Sequence, residues 1–156
     1  VVKKFASLKR NETVYDLYCG TGTISIFLSK FAKEIIGIET VKDAVLAAKD
    51  NAKLNKINNT KFIHGDVKHI LSDGIKESNE PDVIILDPPR NGLEKQVISS
   101  VISLKPKKII YVSCNSSTQA RDLIDFKEFY KIKLSQPIDM FPQTYHVENV
   151  VLLEKI

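Results

Sequence analysis

The sequence has few of the residues that staple a fold or hold a metal. Its two cysteines, Cys19 and Cys114, lie far apart in 156 residues, which excludes a disulfide framework and a thiolate metal cluster. The three histidines, His64, His69 and His146, are scattered, so no metal is expected. No apolar run approaches the roughly 18 residues needed to cross a bilayer and no secretory signal is visible, so no membrane partner is expected and a reducing, cytoplasmic setting fits best. Repeats and low-complexity segments are absent. A glycine is also missing: Gly20-Thr21-Gly22 is followed by Ser25, where the dinucleotide fingerprint wants a third glycine, which argues against a nicotinamide cofactor. The chain opens Val1-Val2-Lys3-Lys4 with no initiator methionine, and it is expected to be the C-terminal part of something longer.

Hydrophobic residues make up 43% of the chain with no break in composition, which predicts one domain over 1–156 with a single good core. The net charge of +4 is concentrated at Lys3, Lys4, Lys9 and Arg10 and at Lys105, Lys107 and Lys108. This favours a polyanionic partner no more than it favours ordinary solvated lysine surface. Apolar runs alternate with helical patterns, the mark of an α/β fold with crossover helices. Strands are predicted near 13–18, 34–39, 60–64, 82–87, 108–113, 129–138 and 146–154. Helices with three- and four-residue apolar spacing are predicted at 23–32, 41–55, 67–77, 94–104 and 117–127, with Thr23, Asp66 and Ser117 as caps. Nothing helical separates the last two strands, so they must pair antiparallel. This order resembles that of the seven-stranded, Rossmann-like S-adenosylmethionine-dependent methyltransferases, a mostly parallel sheet with an antiparallel last strand.

Three strand ends carry unusual chemistry. Lys107-Lys108-Ile109-Ile110-Tyr111-Val112-Ser113-Cys114-Asn115 is a β-branched strand that stops on a thiol, where nucleophiles sit in open α/β sheets. A lone cysteine is more often a small buried hydrophobe, but two other ends support the sharper reading. Pro81-Asp82-Val83-Ile84-Ile85-Leu86 ends on Asp87-Pro88-Pro89-Arg90, and the first strand ends on Asp16-Leu17-Tyr18-Cys19-Gly20-Thr21-Gly22. In the latter, Gly20 and Gly22 allow a tight turn close to a ligand over the next helix. The Asp-x-x-x-Gly-x-Gly spacing resembles an S-adenosylmethionine loop. Glu39, ending the second strand, can accept from two ribose hydroxyls; Asp66, after the third, lies near the adenine or is only a helix cap.

The four segments Asp16–Gly22, Asp87-Pro88-Pro89-Arg90-Asn91-Gly92, Tyr111–Asn115 and Phe141-Pro142-Gln143-Thr144-Tyr145-His146-Val147-Glu148 together resemble the catalytic domain of the RNA uracil-5 methyltransferase family. The resemblance covers nearly the whole chain. It implies S-adenosyl-L-methionine as cofactor, Cys114 as nucleophile, Glu148 as proton acceptor, and Asp87 beside the methyl donor and substrate. It also places Tyr18 against the cofactor, with Asp16, Gly20, Gly22, Glu39 and Asp66 in the same site. Carbon 5 of uracil is too weak a nucleophile to take a methyl group unaided, so thiolate addition at carbon 6 is chemically required. Arg90 could orient the uracil edge, hold a phosphate or act on Asp87; Cys19, inside the glycine turn, reads as structural. The expected partner is structured RNA, ribosomal ahead of transfer RNA, with the uridine unpaired or flipped out. The family's N-terminal RNA-binding regions, cofactor-contacting glutamine and iron–sulfur cysteines are not in this chain, so RNA-holding surface is expected outside it.

Two rivals remain. An amino-methyltransferase uses Asp-Pro-Pro followed by an aromatic residue, where this chain has Arg90; RNA cytosine-5 enzymes have a second cysteine after the fourth strand, absent here. A catalytically idle RNA-binding domain of the same fold is the other possibility.

Overall fold

In a computed structural model, which describes residues 1–75 and 78–156, the predicted strands form one seven-stranded sheet. The strands are β1 (Thr13–Leu17), β2 (Glu34–Glu39), β3 (Thr60–His64), β4 (Val83–Leu86), β5 (Lys108–Ser113), β6 (Tyr130–Ile138) and β7 (Glu148–Lys155), and they lie in the order β3-β2-β1-β4-β5-β7-β6. The first five are mutually parallel, and β7 inserts antiparallel between β5 and β6. The strand order reverses between β1 and β4, and a crevice for ligands opens outside the strand ends at such a reversal.

Alternation along the strands builds two core layers. Tyr15, Leu17, Ile84, Leu86, Ile109 and Tyr111 face α4 (Val67–Asp73), α5 (Lys95–Ser103) and α6 (Ser116–Phe126). Val14, Ile35, Val83, Ile85 and Ile110 face α1 (Val2–Ala6) and α2 (Thr23–Leu28). The central strands are therefore apolar on both sides, as a covered parallel sheet requires. A smaller cluster joins α3 (Lys42–Leu54) to β3 through Val45, Ala48, Ala52 and Phe62.

Several boundaries differ from the sequence reading, each for a local reason. Tyr18 leaves β1 because its φ of 64° is left-handed. The helix expected over 23–32 stops at Leu28 and continues as a 3-10 turn, Ser29–Phe31. The helix expected over 67–77 ends at Asp73 against Gly74, and its last two predicted positions lie outside the described residues. Thr23 is the first helical residue rather than a cap, since Gly22 caps α2. Ser117 likewise lies inside α6, its N–H bound by the Asn115 side chain that caps the helix. The Asp66 cap is present, accepting from the Lys68 N–H at 2.8 Å. Helix α1 had no predicted counterpart; its buried Phe5 and Ala6 sit beneath the sheet. No helix among the described residues is long and apolar enough to cross a membrane.

Candidate active site

The predicted residues gather at one end of the sheet because register puts them there. β1 and β4 run parallel with Asp16 opposite Ile85 and Leu17 opposite Leu86, so the glycine turn and the Asp87 loop emerge side by side. On the far side of β4, Ser113 of β5 pairs with Asn149 of β7. Because that pair is antiparallel, Cys114, the residue after one, and Glu148, the residue before the other and the first of β7, lie at the same end of the sheet. Chain positions 114 and 148 come to one end of the sheet through this insertion of β7.

The glycine turn is held from within. Gly20 and Gly22 have φ of 53° and 79°, which a side chain would strain. Glu39, itself nearly buried, accepts from the Gly20 N–H at 3.0 Å and the Val41 N–H at 2.8 Å. Each carboxylate oxygen keeps one lone pair, so the same group can brace the loop and take further donors. A side chain at Gly22 would run into Phe62, whereas the space beside Gly20 is open. Cys19 packs with the small α3–β3 cluster, and burial pushes its thiol up to about 12, which fits a structural role.

Two carboxylates here are reluctant to ionise. Asp16 is fully buried; it accepts from Ser25 Oγ at 2.6 Å, while Oδ1 has no partner. Burial raises its pKa to about 7, opposed by the Ser25 bond and assisted by the Asp87 charge. Asp87 is exposed at the end of β4; desolvation by its surroundings first, and the Glu148 charge second, lift its pKa to about 6. The second cause shows that the two acids share one electrostatic environment. Among the described residues nothing donates to the Asp87 carboxylate, and the Pro88-Pro89 turn is closed instead by the Gly92 N–H on the Pro89 carbonyl.

These shifts set a pH dependence. A carboxyl whose folded pKa is raised binds its proton more tightly when folded, so stability is greatest below the unfolded pKa near 4 and falls as pH rises towards the folded value. Asp16→Asn keeps an acceptor for Ser25 and removes the titration. It is expected to flatten the loss of stability that the wild type shows between about pH 4 and 7, the interval set by those two pKa values. Urea unfolding followed by circular dichroism at several pH values checks this, and an unaltered slope would remove Asp16 as its source.

Arg90 acts on a partner outside the three sequence options: its Nη2 lies 2.8 Å from His146 Nδ1. The contact ties the loop after β4 to the segment leading into Glu148. Tyr18, half-buried, packs against the main core, and burial lifts its hydroxyl to about 12.

Sequence reading missed the residues of α6 that position these loops. Asn115 Nδ2 and Thr118 Oγ1 both donate to the Arg90 carbonyl at 3.1 Å, and Arg121 donates to the Asn91 carbonyl at 2.9 Å. Asp122, 2% exposed, accepts from the Leu93 N–H and the Tyr111 hydroxyl, both at 2.7 Å, and from Arg121. The available signal was polarity on the inner face: Gln119, Asp122 and Phe126 are the buried positions of α6, at helical spacing.

Comparison with known proteins gives this geometry its context. An RNA methyltransferase of Bacteroides thetaiotaomicron, described as uncharacterized, is 52% identical over 155 residues, covering 99% of this chain and 34% of the relative. One from Caldanaerobacter subterraneus is 50% identical over the same span length and shares. The chain thus spans about a third of the length of the curated relatives it matches. Among solved structures, a Pyrococcus abyssi tRNA (uracil-54, C5)-methyltransferase in complex with S-adenosyl-L-homocysteine superposes with a TM-score of 0.82 at 33% identity, covering 97% of this chain and 36% of that one. A Plasmodium falciparum dimethyladenosine transferase, 20% identical with a TM-score of 0.76, shares the fold alone. The sequence profile described as tRNA (uracil-5-)-methyltransferase matches residues 5–156, a span that includes all four motif-bearing strand ends, and the chain belongs to that family.

Proposed function

We propose that this chain is the catalytic domain of an enzyme that methylates carbon 5 of a uridine in structured RNA. The observation that carries the reading is the convergence of Cys114, Glu148 and Asp87 at one sheet edge beside the glycine turn. Residues of that turn fit S-adenosyl-L-methionine: there is open space at Gly20, an acceptor with spare lone pairs at Glu39, and Asp16, Tyr18, Gly22 and Asp66 around them. When bound there, the cofactor supplies an electrophilic methyl group, which carbon 5 takes once it has been activated.

Activation is the work of Cys114. Its sulfur adds to carbon 6 of the ring, and the electron pair of the 5,6 double bond moves to an enolate that makes carbon 5 nucleophilic. After carbon 5 is methylated, it still bears its proton. Glu148 removes that proton, the double bond re-forms, and the Cys114 thiolate leaves. Asp87 positions the reactants between the glycine turn and Cys114. Arg90 orients the substrate or its backbone from the lip, with His146 fixing its direction.

A uridine carbon cannot be reached inside a stacked helix, so the base is flipped or already unpaired. Ribosomal RNA is the expected source and transfer RNA, the substrate named for the Pyrococcus protein, the second; further RNA-holding surface belongs to parts of the protein outside this chain. Methylation mapping of both RNA pools in cells lacking the protein decides between them. Loss of a carbon-5 methyl from neither pool would sink the reading and favour an amine as the acceptor.

Glu39→Gln tests the cofactor half. It exchanges a charge-assisted acceptor for a neutral one and turns an N–H₂ towards a backbone N–H, so S-adenosylmethionine affinity is expected to fall by about 1–3 kcal/mol. Isothermal calorimetry reads this directly, and unchanged affinity takes Glu39 out of the site.

A further inference from the structure

Gln119 lies on the second turn of α6 with 1% of its surface exposed, and every polar atom of its side chain is used. Nε2 donates to the Tyr111 carbonyl of β5 at 2.9 Å and to the Asn149 carbonyl of β7 at 3.3 Å. Oε1 accepts from Asn149 Nδ2 at 2.7 Å, and Asn149 Oδ1 in turn accepts from Ser135 Oγ of β6 at 3.2 Å. One amide pair therefore bonds α6, β5, β7 and β6 together. Its place in the chain gives it a further consequence. Asn149 directly follows Glu148 and stands opposite Ser113, which directly precedes Cys114. Gln119 also begins only five residues beyond Cys114, and its own N–H donates to the Asn115 carbonyl.

We infer that the Gln119–Asn149 amide pair is a positioning device that fixes the separation of Cys114 from Glu148, and so sets how promptly the proton acceptor finishes what the thiolate begins. The inference rests on the proposed roles of those two residues. Backbone pairing between Ser113 and Asn149 ends just short of both reactive positions, so beyond the last ladder rung the strands are free to splay. Through Gln119 the side-chain pair ties Asn149 of that rung to Tyr111, two residues earlier on β5, and so opposes the splay. Neither amide needs to touch RNA or cofactor to do this. Loss of the pair should act most on the later step, since methyl transfer needs only Cys114 and the bound donor, whereas proton removal needs Glu148 at a defined place on the ring.

Gln119→Met and Asn149→Leu, separately and together, test this in the purified protein. Two substrate RNAs are used, one with ordinary uridine and one with 5-fluorouridine at the target. In the second, carbon 5 bears fluorine instead of a proton after methylation, so the base has nothing to remove and the adduct at Cys114 persists. The expected result with the single variants is turnover on uridine RNA lowered by about ten- to a hundredfold, the range for a misplacement of about 1 Å. KM for S-adenosylmethionine should stay unchanged, a covalent RNA adduct should accumulate during turnover, and adduct formation on 5-fluorouridine RNA should remain close to wild type. The double variant, which leaves no amide facing an apolar stub, should refold at least as well as either single one and still show the accumulated adduct. Turnover within twofold of wild type, measured per folded molecule in any variant, overturns the inference; so does a loss of turnover with no adduct. If the wild type itself forms no adduct with 5-fluorouridine RNA, the covalent reading fails first and takes the positioning role with it.

Discussion

Replacing Cys114 by alanine is expected to abolish uridine methylation while leaving S-adenosylmethionine affinity unchanged, because the thiol and the glycine turn stand on different strands. Glu148→Gln should behave differently. Addition and methyl transfer remain possible, but proton removal slows by about 10²–10⁴-fold, the usual contribution of a positioned base. Methylated RNA should then stay attached to the protein and appear as a retarded band on a denaturing gel after incubation with S-adenosylmethionine and substrate RNA. The band should vanish when Cys114 is also replaced. Wild-type turnover by Cys114→Ala would sink the covalent mechanism and promote amine methylation to the leading account. Absence of the Glu148→Gln band alone would keep the nucleophile and send the search for the base elsewhere.

The second large effect is on folding. Asp122→Ala removes one buried carboxylate and strands the Leu93 N–H and the Tyr111 hydroxyl, while the more exposed Arg121 guanidinium keeps the Asn91 carbonyl and solvent. Each buried donor left unpaired costs about 1–3 kcal/mol, so the two together take a large share of the roughly 5–15 kcal/mol that holds a typical domain together. Urea unfolding should show it as a lowered midpoint, and a loss under about 1 kcal/mol would mean that water or relaxation replaces the carboxylate. Tyr111→Phe, which deletes one donor from an acceptor that keeps others, should cost only about 1 kcal/mol. Gly92 adds a steric limit at the same point: a side chain there would meet Asp122 Oδ2 at 2.5 Å, on a residue whose φ is already 78°.

The sheet was legible because its signal is local. Ile35-Ile36-Gly37-Ile38 and Val83-Ile84-Ile85-Leu86 are too short and too β-branched to be helices, and both became buried strands. The absence of a helix after Ile138 correctly implied antiparallel pairing with the next strand. What local patterns could not carry was position across the sheet: nothing in residues 129–154 says that β7 inserts between β5 and β6. Glu148 could therefore be linked to Cys114 only by family resemblance until the Ser113–Asn149 pairing placed the two at one edge. The α6 residues were lost for a related reason. A glutamine thirty positions from the asparagine it bonds leaves no periodic trace, and Asp122 reads as one more helix-surface acid until its partners are seen. Arg90 was singled out for its place after Asp87-Pro88-Pro89, but its His146 contact spans 56 positions and has no short-range mark.

The insertion of β7 also has a consequence in time. During synthesis the ribosome delivers β1 to β5, the glycine turn, the Asp87 loop and the thiol before any of β7 exists. β6 cannot dock meanwhile, since β7 is its neighbour in the sheet. On the proposed mechanism a nascent chain therefore holds Cys114 before Glu148 has been made, and a polypeptide cut short before residue 148 would carry only half of the proposed site. Completion of the last hairpin is the event that joins the two halves of the proposed site.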